Sequence, residues 1–314
     1  MEEMSMSKPT ESREVLTSPA FLPVTTFGGK FPLDEVVRPH LFRFASALMV
    51  SYHYATKMAM KPNLPLFVDS GGFASLFEGS EILEKGEVAF IRTKEGSVIH
   101  PREVLSFQEK HAAIGATLDF LIPPGLHPEK ALQRQELSIR NARWALKNRR
   151  NKYLKLYASI QAWDQESALR CTKKLARHPF DGFALGGMVP RVSQPDTILS
   201  IVHAIRMVDQ DRPLHVFGIG QPNLVRRLFE AGVNSVDSSS YVRLAVEKKY
   251  LSPQTGQYSS ITDEGVPKED CSCRICQSFP PKYLTLSGEL NTMALALHNL
   301  IALNTFLGIR HNTI

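Results

Sequence analysis

Short apolar runs rich in β-branched residues alternate along this chain with longer stretches that carry apolar residues at helical spacing. Several of the longer stretches begin with proline, which is common in the first turn of a helix. The apolar runs predict eight strands, at residues 21–27, 44–52, 65–72, 116–124, 153–162, 182–188, 214–220 and 235–241. Eight strands alternating with helices indicate an α/β fold. They favour a (β/α)8 barrel, the TIM barrel, over a doubly wound parallel sheet, which would give a similar pattern.

Two parts of the chain depart from this alternation. Residues 88–100 are typical of a β-hairpin, with a turn at Lys94-Glu95-Gly96, inserted after the third predicted strand. From Lys248 onward the alternation stops, and a turn-rich stretch leads to a group of cysteines and to a final helix at about residues 288–307. We therefore expect an N-terminal extension at residues 1–18, a catalytic barrel at 19–247, and a metal-binding subdomain with a closing helix at 248–314.

The cysteines Cys271, Cys273 and Cys276 have the form C-x-C-x-x-C, which is the spacing of metal ligands rather than of disulfides. Structural zinc prefers four ligands in a tetrahedron, and His298 on the final helix is the best candidate for the fourth. Such a site leaves no open position for water, so we expect a structural Zn²⁺. The alternative is three incidental thiols. Cys171 stands alone in a helical pattern and is expected to pack in the core.

Composition changes this picture little. The chain has 314 residues, of which 43% are hydrophobic, and a formal net charge of +6, which is ordinary for a folded globular protein and excludes global disorder. The charge permits a polyanionic partner without requiring one. The N-terminus has no basic start followed by an apolar core, and the apolar stretch at residues 293–309 is too short and too polar to cross a bilayer. We therefore expect a cytoplasmic protein with no membrane partner.

Polar residues lie where the predicted barrel strands end, and in a (β/α)8 barrel these ends meet in the mouth of the active site. Taken alone, each aspartate could equally cap a helix or bind loop amides. Three carboxylates in apolar strands would be costly without a function, which favours a site. The residues are Asp69 and Ser70 after the third strand, Asp119 and Gln161 on the fourth and fifth, Gly186 and Gly187 at the end of the sixth, and Asp237 on the eighth.

This set of residue types suits chemistry on a purine base. A carboxylate can accept two hydrogen bonds from the ring N–H and the exocyclic amine of guanine, while an amide and exposed glycine backbone can address its carbonyl edge. A second carboxylate can attack an anomeric carbon and form a covalent glycosyl intermediate. From spacing alone, a barrel glycosidase or nucleosidase acting on small molecules stays open.

Eight segments of the chain form a set of motifs: PAFLPVTTFG, LFVDSGGFASL, ATLDF, SIQAW, DGFALGGM, FGIGQPNLVRRLFEAGVNSVDSSSY, CSCRIC and LALHNL. With these segments, the chain resembles the tRNA-guanine transglycosylases over residues 19–301. The resemblance implies a zinc-bearing TIM barrel that cuts the N-glycosidic bond of a guanine in nucleic acid. It further implies that the enzyme installs a 7-deazaguanine through a covalent enzyme–nucleic acid intermediate.

The resemblance also implies a role for each matching residue. Asp237 corresponds to the nucleophile that attacks C1′, and Asp69 to the general acid/base. The positions that bind the base are Asp119, Gln161, Gly186, Gly187 and Ser70, with Phe73 as a wall of the pocket, and the zinc ligands are Cys271, Cys273, Cys276 and His298.

After the nucleophile, the sequence DSSSYVRLAVEKKYLSPQTG departs from the Pro-Thr-Arg segment of bacterial relatives and is similar to the archaeosine-type branch, which uses 7-cyano-7-deazaguanine. Archaeal members usually continue into C-terminal RNA-binding domains, whereas this chain ends at Ile314. In that respect it is similar to transglycosylases that place 7-deazaguanines in DNA. We therefore expect DNA as the substrate. The alternatives are base exchange on tRNA and a non-catalytic partner subunit.

A guanine in duplex DNA must leave the stack before Asp237 can reach it. An ATPase or helicase-like protein that opens the duplex, a separate RNA-binding subunit and a second copy of this chain are the partners that the resemblance suggests. We expect phosphate contacts near the nucleophile and the hairpin, although solvated surface charges are the alternative. The candidates are Arg243, Lys248 and Lys249, together with Arg92, Lys94 and Arg102. His53, in the segment SYHY, either lines the pocket or packs.

Overall fold

The computed structural model describes residues 16, 18–30, 32–261, 271–279 and 281–309. Most of the expected N-terminal extension at residues 1–18 lies outside this range. The strands of the described residues are β1 (Ala20–Pro23), β2 (Leu48–Val50), β3 (Leu66–Val68), β4 (Glu81–Lys85), β5 (Val88–Arg92), β6 (Val98–Ile99), β7 (Ile114–Ala116), β8 (Lys155–Gln161), β9 (Gly182–Gly186), β10 (Leu214–Val216), β11 (Ser235–Ser238), β12 (Lys249–Leu251) and β13 (Tyr258–Ser260).

Helices connect most of these strands. They are α1 (Asp34–Val37), α2 (Tyr52–Ala55), α3 (Pro101–His111), α4 (Pro128–Asn148), α5 (Gln165–Ala176), α6 (Pro195–Val208), α7 (Pro222–Glu230), α8 (Ser240–Val246), α9 (Arg274–Ser278), α10 (Pro281–Thr285) and α11 (Glu289–Phe306). Short 3-10 helices cover Arg38–Arg43, Gly72–Leu76 and Val189–Arg191. The predicted proline starts are found in α3, α4, α6 and α7.

Eight parallel strands form one sheet in the order β1-β11-β10-β9-β8-β7-β3-β2. A parallel bridge between Val24 and Met49 brings β1 beside β2, so the sheet is a nearly closed barrel. The predicted (β/α)8 architecture is therefore confirmed. The carboxyl ends of all eight strands meet at one rim.

The predicted strand at residues 116–124 is wrong beyond its first residue. Strand β7 ends at Ala116, and the chain that follows is irregular, because side chains of α4 satisfy its backbone groups in place of a neighbouring strand. Ser138 Oγ accepts a hydrogen bond from the Phe120 amide at 3.0 Å, and Asn141 Nδ2 donates to the Leu118 carbonyl at 3.3 Å. Helix α4 thereby fixes the segment that carries Asp119.

Period-two alternation along the strands divides the core into two layers. Side chains on one face fill the barrel, including Leu22, Met49, Phe67, Tyr157 and Ala184. Side chains on the other face pack against the surrounding helices. Because the interior is filled below the rim, the space for a ligand lies at the mouth.

The predicted hairpin at residues 88–100 is confirmed, since β5 pairs with β6 in an antiparallel manner and the turn is closed by a hydrogen bond from the Thr93 amide to the Ser97 carbonyl at 2.8 Å. A third strand, β4, pairs with the other edge of β5. The sequence did not reveal β4 because its side chains are mostly polar and exposed. Asn141 binds the amide and the carbonyl of Ala89, both at 2.9 Å, which attaches this small sheet to α4.

The C-terminal part contains the β12–β13 hairpin and the helices α9, α10 and α11. Helix α11 coincides closely with the predicted final helix and packs against α8 and α1. The division of the chain at residues 247 and 248 stays a prediction. Among the described residues, none of the helices has the length and apolar character needed to span a bilayer.

Candidate active site

A cavity of about 400 Å³ opens at the carboxyl ends of the barrel strands. This volume lies in the usual range for small-ligand sites. Most of the residues predicted for the site line it, so the structure brings them together as expected. They are Asp69, Ser70, Phe73, Asp119, Gly186, Gly187 and Asp237, and His53 lines the same cavity.

Asp237 lies on β11 with only 6% of its surface exposed. Its Oδ1 accepts a hydrogen bond from the Gly218 amide at 3.0 Å and lies 3.0 Å from His215 Nε2. The opposite ring nitrogen of His215, Nδ1, lies 2.8 Å from Ser235 Oγ. Both contacts are made to the same carboxylate oxygen, Oδ1, and neither is made to Oδ2. The second oxygen is thus left for a ligand.

His215 was not identified from the sequence. It lies on β10, is fully buried, and occupies the barrel interior with its ring 4.7 Å from that of Phe67. The available signal was a histidine inside an apolar strand next to the strand that carries Asp237, but a single polar residue in such a strand has no diagnostic spacing. The register pairs His215 with Ser235, so His215 lies one layer below Asp237.

Asp69 follows β3 at the rim, and its Oδ1 accepts hydrogen bonds from the amides of Gly71 at 2.7 Å and Tyr52 at 3.2 Å. Burial raises the pKa of this carboxyl group to about 6, although these hydrogen bonds and one from Ser51 oppose the shift. A carboxyl group with a pKa near 6 can both donate and accept a proton close to neutral pH.

Asp119 is buried and is held by two side chains. Its Oδ1 accepts a hydrogen bond from Ser70 Oγ at 2.7 Å, and its Oδ2 accepts one from Gln161 Nε2 at 2.5 Å. Burial raises the pKa of Asp119, and the two hydrogen bonds work against that rise. Gln161 is fully buried behind the cavity, and its Oε1 has no hydrogen-bond partner among the described residues.

Two glycines are required by the close approach of backbone to Asp119. A Cβ on Gly72 would lie 2.3 Å from Asp119 Oδ1, and a Cβ on Gly186 would lie 2.3 Å from Gln161 Nε2 and 3.0 Å from Asp119 Oδ2. No side chain fits at either place without displacing Asp119 or Gln161. The loop after β9 is further fixed by buried Arg191, which donates to the carbonyls of Gly187 at 2.7 Å and Ile122 at 3.0 Å.

Aromatic and apolar side chains line the cavity together with the polar groups. Phe73 is 53% exposed and makes an edge-to-face contact with Phe77, with ring centroids 5.7 Å apart. Phe217 and Val189 also line the cavity. A flat heterocycle could therefore be enclosed between apolar faces while its edge meets the polar groups.

The cations predicted as phosphate contacts do not line the cavity. Arg243 forms an ion pair with Glu247 at 3.5 Å, Lys248 Nζ donates to the Leu286 carbonyl at 2.5 Å, and Lys249 Nζ donates to Ser260 Oγ at 2.7 Å. Arg92 pairs with Glu81 on the inserted sheet. Contact of any of these residues with nucleic acid stays a prediction. Lys30, which the sequence did not single out, lines the cavity instead.

Cys271, Cys273, Cys276 and His298 form a cluster whose ligand atoms all lie within 4.8 Å of one another. The three sulfurs lie 3.8, 3.4 and 3.3 Å from His298 Nδ1. Tetrahedral zinc with ordinary bond lengths would place sulfur and nitrogen ligands about 3.5 Å apart. The predicted ligand set is therefore brought together in a geometry that could hold a metal ion.

The residues around this cluster orient its histidine. His298 Nε2 lies 3.0 Å from the Leu251 carbonyl, so a proton on Nε2 would leave Nδ1 for a metal. Tyr250 stacks on the imidazole ring with centroids 4.0 Å apart. The neighbouring Asn299 binds the amide of Leu251 and the carbonyl of Lys249, both at 2.9 Å. Strand β12 is thus attached to α11 at the point where α11 supplies the fourth ligand.

Comparison with known proteins gives a match over nearly the whole chain. The model of a family described as Queuine tRNA-ribosyltransferase matches residues 6–313. The matched range includes every residue of the cavity and of the cysteine cluster.

Curated relatives also align with this chain, and each alignment covers a smaller share of the relative than of this chain. The tRNA-guanine(15) transglycosylase of Methanococcus aeolicus is 25% identical over an alignment that covers 91% of this chain and 44% of that protein. That of Pyrococcus abyssi is 30% identical over an alignment that covers 73% of this chain and 39% of that protein. The chain thus spans less than half of these archaeal proteins. The Queuine tRNA-ribosyltransferase of Thermosipho africanus is 28% identical over an alignment that covers 91% of this chain and 85% of that protein.

Proposed function

The chain belongs to the family described as Queuine tRNA-ribosyltransferase, and on that premise we propose that it is a guanine transglycosylase that exchanges a guanine in tRNA for a 7-deazaguanine. The exchange proceeds through a covalent bond between Asp237 and C1′ of the target nucleoside. The observation that carries this proposal is the state of Asp237 at the cavity wall, where one oxygen is bound by two neighbours and the other is open to a ligand.

In the first half of the reaction, Asp237 Oδ2 forms a bond to C1′ while the bond between C1′ and N9 of guanine breaks. The electron pair of the broken bond leaves with guanine, and protonated Asp69 supplies the proton that neutralises the leaving base. His215 and the Gly218 amide bind Oδ1 throughout, which keeps the carboxylate in one orientation.

In the second half, the 7-deazaguanine occupies the place of guanine. Its N9 gives its proton to the Asp69 carboxylate and bonds to C1′, while the bond from C1′ to Asp237 breaks and returns its electron pair to Oδ2. Asp69 thus alternates between acid and base, for which a pKa of about 6 is suited.

The polar groups of the cavity recognise the base. Asp119 faces the cavity and retains lone pairs beyond the two that Ser70 and Gln161 occupy, so it can accept from the N–H groups of guanine. Gln161, buried behind the cavity, acts through Asp119, whose Oδ2 accepts the hydrogen bond from Gln161 Nε2. Phe73 encloses the ring from the rim, and the backbone of Gly186 and Gly187 contacts its edge.

The cysteine cluster holds a structural zinc ion. Its four ligands are all protein atoms, its spacing fits zinc, and it lies among residues that do not line the cavity. When bound, zinc would supply no chemistry to the exchange and would instead fasten α9 and β12 to α11.

The relatives favour tRNA over DNA, because two of them are described as tRNA-guanine(15) transglycosylases and the third as a Queuine tRNA-ribosyltransferase. This is the alternative rather than the main expectation of the sequence analysis, and the preference for DNA stays a prediction. An ATPase or helicase-like protein, an RNA-binding subunit and a second copy of the chain likewise stay predicted partners.

Radiolabelled guanine distinguishes these substrates directly. The purified protein is incubated with the label and, in parallel, with a tRNA transcript, single-stranded DNA and duplex DNA. The proposal expects label in tRNA with wild-type protein and none with Asp237→Asn. Label in DNA alone would show that DNA rather than tRNA is the substrate. Turnover of free nucleosides without a polymer would contradict transglycosylation.

A further inference from the structure

A second cavity, of about 440 Å³, opens on the outside of the barrel beside the active-site cavity. The 3-10 helix Arg38–Arg43 and the segment at residues 57–64 between α2 and β3 form its walls. Phe27 lines this groove, and Lys30 in the same turn lines the active-site cavity. Lys57 Nζ in the groove lies 3.5 Å from His53 Nε2 in the active site. The groove therefore begins at the mouth of the barrel.

The groove carries uncompensated positive charge. Lys57 and Lys61 line it, and within the described part of the chain neither lysine has a carboxylate at ion-pair distance. The third cation, Arg38, is already neutralised by Glu35 at 2.8 Å. Lys61 also lies near Lys110 and His111: burial first, and then the charges of these two lysines, lower the pKa of His111, which favours its neutral form.

Exposed apolar side chains accompany the two lysines. Met60 is 83% exposed and Phe42 is 47% exposed, and both line the groove. The Arg43 guanidinium lies 5.3 Å from the centre of the Phe42 ring, which extends this face with a planar cation. Cations combined with flat apolar surfaces are typical of sites that bind single-stranded nucleic acid, where phosphates meet the charges and bases stack on the apolar groups.

We propose that this groove binds the tRNA strand next to the target guanosine, with Lys57 and Lys61 on its phosphates. The inference rests on the proposed function, because a strand whose guanosine reaches Asp237 must leave the mouth along its edge. It also differs from the sequence-based expectation: Arg243, Lys248 and Lys249 line neither cavity and already bind protein groups.

The test measures binding without catalysis. A 5′-labelled tRNA transcript is titrated with wild-type protein, with Lys57→Ala/Lys61→Ala, and with the control Lys147→Ala/Lys173→Ala, at several salt concentrations. All four lysines are exposed, so the variants should fold. Lys173 lies on α5 after β8, which is across the barrel from β1, and Lys147 lies on α4. The control therefore removes the same charge elsewhere.

We expect the groove variant to raise Kd about 10-fold and to reduce the slope of log Kd against log salt by about two, since each lost phosphate contact reduces it by about one. In the control variant, Kd should change by no more than about twofold, and the salt slope should stay as in wild type. An unchanged Kd in the groove variant, equal weakening in the control, or a wild-type protein that binds no transcript would each overturn the inference. Failure of guanine exchange would instead contradict the proposed function, and the binding result would stand independently.

Discussion

The barrel mouth and the cysteine cluster are both groups of polar side chains in an apolar fold, but they present their atoms differently. In the mouth, Asp237 keeps one oxygen open to a cavity, and Asp69 has a pKa raised by burial to about 6. In the cluster, four ligand atoms converge on one point, and the second nitrogen of His298 binds a carbonyl. The difference teaches that the mouth keeps reactive groups available at a cost in stability, whereas the cluster is closed and, with the proposed zinc ion bound, would stabilise the fold.

Asp237→Asn should have the largest effect on activity. The amide keeps the size of the side chain and can still accept a hydrogen bond from the Gly218 amide, but it is a poor nucleophile. We expect exchange to fall by at least about 10⁴-fold, as when nucleophiles are removed from other covalent enzymes. The change in Tm should stay within about 2 °C. Residual exchange above 1% of the wild-type rate, taken as an order-of-magnitude limit, would mean that another group attacks C1′.

Asp69→Asn should reduce exchange by about 10²- to 10⁴-fold, the usual contribution of a general acid or base. The same substitution should stabilise the protein near pH 8. The folded state binds this proton more tightly than the unfolded state, since its pKa is about 6 rather than 3.8. The contribution of Asp69 to the free energy of unfolding therefore falls as pH rises from about 4 to 6, by about 1–3 kcal/mol in total.

Thermal unfolding at two pH values measures this effect. Asp69→Asn should unfold at a higher temperature than wild type at pH 8 and at a nearly equal temperature at pH 4. A variant that is less stable at pH 8 would show that ionised Asp69 stabilises the fold, and the contrast between mouth and cluster would break down at this residue.

Substitution of His215 tests whether catalysis requires the contact between its Nε2 and Oδ1 of Asp237. Replacement by Phe removes the contact with Oδ1, and a hydrogen bond to a charged group contributes about 1.5–3 kcal/mol. We expect kcat to fall about 10- to 100-fold with little change in KM for the base. Replacement by Gln, whose Nε2 can donate at a similar reach, should restore much of kcat. If Gln and Phe behave alike, His215 has a packing role only.

Loss of the metal should affect the chemistry least and the stability most. Cys273→Ser should lower Tm by about 5–10 °C, because removing a structural metal belongs to the most destabilising changes. At 25 °C, kcat should stay within about threefold of wild type. Elemental analysis should find one zinc per wild-type chain. A variant that keeps its Tm but loses exchange would show that the cluster takes part in the reaction. The contrast between a catalytic mouth and a structural cluster would then be wrong.

The sequence was sufficient for the parts in which pattern and spacing carry the information. Apolar runs indicated eight barrel strands, although the run at residues 116–124 overlaps β7 only at Ala116. The C-x-C-x-x-C spacing with a histidine on the last helix located the cluster. Strand ends also placed Asp69, Asp119 and Asp237 at one rim. These features depend on short-range periodicity and on the geometry common to all parallel barrels.

Other features depend on contacts between distant segments. Asp119 lies in irregular chain because Ser138 and Asn141 of α4 bind that backbone, which no local pattern reveals. His215 is a single polar residue among apolar neighbours, and only the barrel register brings it to Asp237. Arg191 reaches the carbonyl of Ile122, which is 69 residues away along the chain. The groove of Lys57 and Lys61 likewise lies between separate segments, the 3-10 helix Arg38–Arg43 and residues 57–64.

The central claim is that Asp237 forms the covalent bond to the nucleic acid. The most direct measurement is to mix the protein with a tRNA transcript without added base, trap the adduct by rapid denaturation, digest both components and locate the nucleoside-linked peptide by mass spectrometry. We expect one adduct, on the β11 peptide at Asp237, and none with Asp237→Asn. An adduct on Asp69, or steady exchange of labelled guanine with no adduct at any time point, would contradict the account.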